Sequence, residues 1–106
     1  SSESIRERVV MAHKRQRERY EKEEFFYNSQ IPAKKIATFC ALKKDEKRHM
    51  QQIYETLNLS VRSYHKILKT ARTIADIEGS EEIRMEHLHE AICYRSIDSN
   101  FWERRR

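Results

Sequence analysis

The segment from Leu59 to Gly79, LSVRSYHKILKTARTIADIEG, carries its own start and stop signals for a helix. Ser60 is a preferred N-cap, because its hydroxyl can accept one of the backbone N–H groups that the first helical turn leaves without an intrahelical partner. Gly79 stands where a helix commonly ends in a left-handed conformation that a Cβ resists. Between them Val61, Tyr64, Leu68, Ala71 and Ala75 recur at three- and four-residue steps, widened by Ile67 and Ile74. One face is therefore apolar and needs a core to cover it. The opposite face carries Arg62, Lys66, Lys69, Thr73 and Asp76, a row that begins in the first turn and is open to a phosphate, a nucleic-acid backbone or water.

The rest of the chain is expected to pack around this helix. One Gly and one Pro in 106 residues, with 37% charged and 38% hydrophobic side chains, leave too few turn formers for a sheet. The expected fold class is all-α, a compact bundle of about four to five helices in one domain spanning 1–106. A net charge of +5, from 22 Lys and Arg against 17 Asp and Glu, favours anionic partners, although the two signs are interleaved enough to solvate helix faces. Cys40 and Cys93 lack metal or redox spacing and read as two small buried thiols in a reducing compartment, with no disulfide. No apolar run approaches membrane-spanning length and no secretion signal opens the chain, so a cytoplasmic location without a membrane partner is expected.

In chain order, a basic helix is expected from Ser4 to Lys22, with a narrow seam at Ile5, Val9, Ala12 and Tyr20 and a cap from Ser1, Ser2 or Ser4. Its Arg6, Arg8, Lys14, Arg15, Arg17 and Arg19 could track phosphates, though solvated charge is the commoner meaning of such a run. Phe25, Phe26 and Tyr27 then anchor a loop, by plugging the core rather than stacking on bases. Pro32 suits the first position of a short helix to Phe39, with Ile36 and Phe39 or Cys40 inward. A helix from Asp45 to Leu57 follows, with His49 or Met50, Ile53 and Leu57 on one side, closing at Asn58. A last helix spans Arg84 to Arg95, with Leu88, Ala91, Ile92 and Tyr94 or Arg95 at its periodic positions. The tail 96–106, with Ile97, Phe101, Trp102 and a terminal Arg triplet, carries no signal that decides between a docked helix and a frayed end.

Catalytic chemistry is hard to find. His89 and Cys93 have the four-residue spacing that puts two ligands on one helix face, but two ligands are not a site, and no metal is expected. No Ser or Cys sits in an activated elbow, and a single Gly builds no phosphate-cradling loop. The chain alone is expected to have no catalysis. A lone cation at a helix N-terminus can nevertheless complete a phosphate site built by another domain, and Arg62 is that candidate.

The run from Leu59 to Asp76 resembles the C-terminal signature of the magnesium-chelatase-like AAA+ ATPases, the ComM and YifB family. The likeness extends to Ile83, His87-Leu88, Glu90-Ala91 and Tyr94-Arg95 downstream, and to Ile5-Arg6, Arg8-Val9, Gln16, Arg19 and Asn28-Ser29-Gln30 upstream. His13 stands where an arginine is expected, Ile31 where methionine is usual and Val61 where a small residue is common. The resemblance implies the helical C-terminal lid of such an ATPase, with Walker motifs, sensor 1 and arginine finger upstream in the parent. Arg62 then matches the sensor 2 arginine of the family's Ser-x-Arg pattern, and Lys66, Lys69 and Arg72 are further candidates for phosphate or DNA contacts.

It also implies ATP and Mg2+ as cofactors of the parent and none for this chain alone. The implied partners are the AAA+ core of the same polypeptide, neighbouring subunits of a homohexamer, and DNA, on which the ComM-type members resemble branch-migration helicases. The chelatase name describes ancestry, since nothing here suggests porphyrin or magnesium insertion. The rival reading is a free-standing helix-turn-helix module, with Arg62, Ser63, His65 and Lys66 as base or phosphate readers. Against it, the helix to Glu78 runs about five turns and is apolar throughout, which suits a buried lid better than a short recognition helix.

Overall fold

The computed structural model describes residues 2–94, and every regular element among them is helical. In order these are α1 (Ser2–Arg19), two 3-10 turns (Asn28–Gln30 and Ala33–Lys35), α2 (Ile36–Phe39), α3 (Lys44–Thr56), α4 (Val61–Glu78) and α5 (residues 85–94). The all-α expectation holds. The parts of the sequence reading that fall on Ser1, Arg95, Ile97, Phe101, Trp102 and the terminal arginines lie outside the described residues.

α4 begins and ends where its local signals put it. The Ser60 hydroxyl accepts the Ser63 N–H at 3.0 Å, and Gly79 closes the helix at φ 80°. The N–H groups of Gly79 and Ser80 turn back onto the carbonyls of Asp76 and Ala75, which satisfies acceptors the helix end would otherwise leave open. α3 stops by the same device: Asn58 takes φ 51°, and Leu59 donates its N–H to the Tyr54 carbonyl. Asn tolerates this left-handed turn better than other side chains. Tyr54 then meets Tyr64 edge to face, 5.3 Å between ring centroids, joining α3 to α4.

The core lies along the inner face of α4. Ile67, Leu68, Ala71 and Ala75 are buried there, with Tyr20, Phe25, Ile31, Ile36, Cys40, Met50, Leu59, Ile83, Leu88 and Ala91 around them. Tyr20, Phe25 and Phe39 form an aromatic cluster with centroids 4.7 to 5.9 Å apart. Of the three expected aromatic anchors only Phe25 plugs the core. Phe26 is exposed beneath the Arg17 guanidinium, and Tyr27 lies against His13.

Other expectations need correction. The α1 seam is half right: Ala12 and Tyr20 are buried, but Ile5 is 62% exposed and Val9 also faces out. Arg15 already sits beside Gly79, so the turns of α1 ahead of Ala12 extend past the end of α4. Pro32 caps the second 3-10 turn instead of opening an α-helix. Leu57 is exposed at the end of α3, and Cys93 is exposed while Cys40 is buried, because position 93 lies on the outer side of α5. Among the described residues, no helix is long and apolar enough to cross a membrane.

Substituting Gly79→Ala places a methyl group in the left-handed region and 3.3 Å from the Arg15 Nη2 atom. Urea unfolding should show a loss of about 1–2 kcal/mol. Ser60→Ala should lose about 1 kcal/mol; unchanged midpoints in both variants would mean that these caps do not hold the ends of α4.

Candidate functional site

The exposed row on α4 borders a cavity of about 670 Å³. Its walls are Val61, Arg62, His65, Lys66, Lys69, Thr70 and Thr73 of α4, faced by Ser29 of the first 3-10 turn and Ala33 of the second. Arg62, the second residue of α4, is exposed and has no hydrogen-bond or ion-pair partner among the described residues. Lys66 is exposed one turn further along, and the Lys69 ammonium reaches across to the Ser29 carbonyl at 3.3 Å. A helix N-terminus carries partial positive charge from its unpaired N–H groups, so Arg62 adds a full cation to a site already favourable to anions.

Under this cavity lies a buried polar cluster centred on Asp76. Its carboxylate is fully enclosed and takes the Arg19 guanidinium through two bonds, at 2.6 and 3.0 Å, and Arg72 at 3.0 Å. Asn28 is the second hub. It donates from Nδ2 to Asp76 and to the Thr73 hydroxyl, accepts from Arg19 and Tyr20, and sends its backbone N–H to Gln16 at 2.9 Å. Arg15 adds a bond to the Asp76 carbonyl, and Arg72 bonds the carbonyls of Ser80 and Glu81. α1, the first 3-10 turn, α4 and the α4–α5 connection are thereby fastened at one place. Ser29, and with it one wall of the cavity, is held against α4 by this cluster.

Three candidates from the sequence, Arg62, Lys66 and Lys69, come together on the cavity wall. Arg72 does not. It is 5% exposed and committed to Asp76 and two carbonyls, so it is not available as the phosphate or DNA contact that the resemblance suggested. Asp76, placed on the solvent face by spacing, is also buried. Both corrections have one cause: the buried stripe of α4 continues from Leu68 by four-residue steps through Arg72 to Asp76. Gln16 likewise continues the buried line from Ala12 to Tyr20. Polar residues in register with an apolar stripe were the signal for this cluster, and their pairing partner Asn28 had no such signal.

Burial and pairing alter the acid–base character of the cluster. Half-burial works against the Arg19 cation, but the hydrogen bonds and charge of Asp76 outweigh it and hold the guanidinium protonated above its usual range. Burial pushes the Tyr20 phenol up against the opposing pull of Arg19. Burial also pushes the Cys40 thiol up to about 11, although Arg72 and Arg19 pull it down.

Among the described residues one grouping, Glu78, Glu86 and His87, has three potential metal-ligand atoms already close together. Its histidine is occupied on both sides: Nδ1 accepts the Arg84 N–H at 2.8 Å, and Nε2 meets the Glu78 carboxylate. An Nδ1 that accepts leaves the proton of the neutral ring on Nε2, so that nitrogen donates to Glu78 and has no lone pair for an ion. This histidine works as a cap for α5.

Residues 1–95 match the family model described as magnesium chelatase, subunit ChlI C-terminal. The YifB protein of Salmonella typhimurium is 40% identical over 98 residues, and YifB of Escherichia coli K12 is 38% identical over 98. The competence protein ComM of Haemophilus influenzae is 38% identical over 97. Each alignment covers 92% of this chain but only 18–19% of the relative, so the chain spans about a fifth of the length of these curated relatives. No solved structure matches.

Removing the carboxylate by Asp76→Ala leaves Arg72 and the Asn28 amide buried without it, and should cost about 3–5 kcal/mol in urea unfolding. A loss below about 1 kcal/mol would show the cluster to be dispensable. The raised Cys40 thiol gives a pH dependence whose sign follows from proton binding. Above pH 9.0 the unfolded thiol loses its proton while the folded one keeps it. Its contribution is thus complete below pH 9 and disappears as pH rises towards about 11, a loss on the order of 2 kcal/mol. Thiol titration of the native chain should modify Cys93 promptly and Cys40 only on unfolding.

Proposed function

This chain belongs to the family described as magnesium chelatase, subunit ChlI C-terminal, and from that premise we propose that it is the lid of a larger, ComM-type AAA+ ATPase. In this reading Arg62 is the sensor 2 residue, touching the phosphates of a nucleotide bound by the upstream part of the same polypeptide. The observation that carries the proposal is the state of that side chain: exposed, unpartnered among the described residues, in the first turn of α4 and on the wall of a basic cavity. A guanidinium offers planar, permanently charged donors to phosphate oxygens.

The residues here fit the edge of a triphosphate site and not the whole of one. Arg62 and Lys66 supply positive charge, but among the described residues no carboxylate lines the cavity to hold Mg2+, and the single Gly of the chain builds no loop to wrap phosphates. ATP and Mg2+ therefore belong to the parent's core, and this chain reports their state. Loss of the γ-phosphate would release Arg62, and because the Asp76 cluster locks α1 to α4, the released domain would move as one body. In a homohexameric ring that movement would pass to neighbouring subunits and to DNA during uptake or recombination in the cytoplasm. The name of the ComM relative, a competence protein, supports the DNA role. Burial of Ile67, Leu68, Ala71, Arg72, Ala75 and Asp76 favours the lid over a free-standing recognition helix, which must present its length to a groove.

Arg62→Ala in the full-length parent should lower ATP turnover by about 100-fold. The same change should alter the stability of this domain by no more than about 0.5 kcal/mol. Undiminished turnover would remove Arg62 from the mechanism. The isolated chain should show negligible affinity for ATP and for duplex DNA at physiological salt; tight, salt-dependent duplex binding would favour the helix-turn-helix reading.

A further inference from the structure

The buried line that begins on α1 with Ala12 and runs through Gln16 to Tyr20 continues the other way, by the same three- and four-residue steps, through Val9 to Ile5. Positions in register with a buried stripe are core positions, yet Ile5 and Val9 are exposed, because these turns of α1 run past the end of α4. Val10 and Met11, 59% and 43% exposed, carry apolar surface further round the same turns. Single exposed apolar residues are ordinary on a protein surface, but four within seven positions mark a surface that something covers. About two turns of helix without tertiary packing are also marginal by themselves.

Charge narrows the choice of occupant. Arg8, by sequence a candidate for tracking phosphates, borders an open groove of about 840 Å³ whose walls include Glu78, Glu81, Glu82 and Glu86, with Arg84 as the other lining cation. Glu3 and Glu7 are exposed on α1 itself. Carboxylates on this scale repel a polyanion, so a nucleic-acid strand fits poorly where a polypeptide with an apolar centre fits well. The curated relatives matched above are about five times as long as this chain, and the family model is that of a C-terminal part. In the lid reading, on which this inference rests, the remaining length precedes α1 and α1 is the element nearest to it in sequence.

We propose that Ile5, Val9, Val10 and Met11 form a seat for the upstream part of the same polypeptide, separate from the phosphate contact at Arg62. Arg62 lies in the first turn of α4, whereas α1 passes beside Gly79 at the other end, on the order of 25 Å away by the helical rise. The upstream part thus holds the domain at both ends of α4.

Hydrogen exchange followed by mass spectrometry, on the 106-residue chain and on the full-length parent, tests the seat. Amides of residues 4–11 should exchange at least about tenfold more slowly in the parent. Ile5→Asp combined with Val9→Asp, both at exposed positions, should return them to the rate of the isolated chain, while the helix content of the isolated chain stays unchanged. Equal exchange in chain and parent overturns the proposal. Slowing that grows with the concentration of the isolated chain assigns the face to a second copy and overturns it too, as does slowing in the parent that appears only with added DNA or is lost on dilution to the monomer. None of these readouts is ATP turnover, so this seat and the sensor role of Arg62 can fail independently.

Discussion

The enclosed carboxylate of Asp76 is the constraint on which the rest of this structure depends. An ionised group without water must be surrounded by donors, and this one recruits them from three parts of the chain: Arg19 of α1, Asn28 of the first 3-10 turn, and Arg72 within its own helix. Arg72 in turn bonds the carbonyls that follow α4. Breaking up such a cluster is costly, whereas replacing it whole with apolar groups need not be. Its value is directional. Apolar packing alone would allow α1 to slide or rotate on α4; a two-point Arg19–Asp76 contact and a fully satisfied Asn28 select one register.

That register explains how one helix can serve two purposes. The later turns of α4 are buried and locked, while its first turns carry Arg62, Lys66 and Lys69 along an open cavity. Arginines at positions 62 and 72 are the same residue type on the same helix, yet one is exposed and unpartnered among the described residues and the other has both terminal nitrogens held by Asp76 and two carbonyls. The difference arises from what the rest of the chain brings near them. The phosphate-sensing role proposed for Arg62 would need a rigid mount, and the buried cluster provides one beneath the cavity through the Asn28–Thr73 bond.

Electrostatic economy of a different kind operates at the start of α5. His87 takes the role more often given to Glu or Gln, accepting the Arg84 N–H three residues back, while its other nitrogen is anchored by Glu78 at the end of α4. Two helix ends separated by a short connection are thus joined through one buried ring. The neighbouring histidines 49 and 89, by contrast, face each other at the surface with no such commitment to backbone.

The sequence alone determined the all-helical class, both ends of α4, the close of α3 at Asn58 and the exposed basic row at Arg62, Lys66 and Lys69, because caps, left-handed stops and helical periodicity act over a few residues. Its long signature around α4 also pointed to the family. Only the tertiary structure decided that Asp76 and Arg72 turn inward, that Phe26 stays outside while Phe25 plugs the core, that Ile5 and Val9 are left uncovered, and that His49 meets His89. Each of those outcomes depends on a partner far along the chain. Whether a polar residue in an apolar stripe is buried depends on whether donors and acceptors arrive to satisfy it, and local spacing carries no record of their arrival.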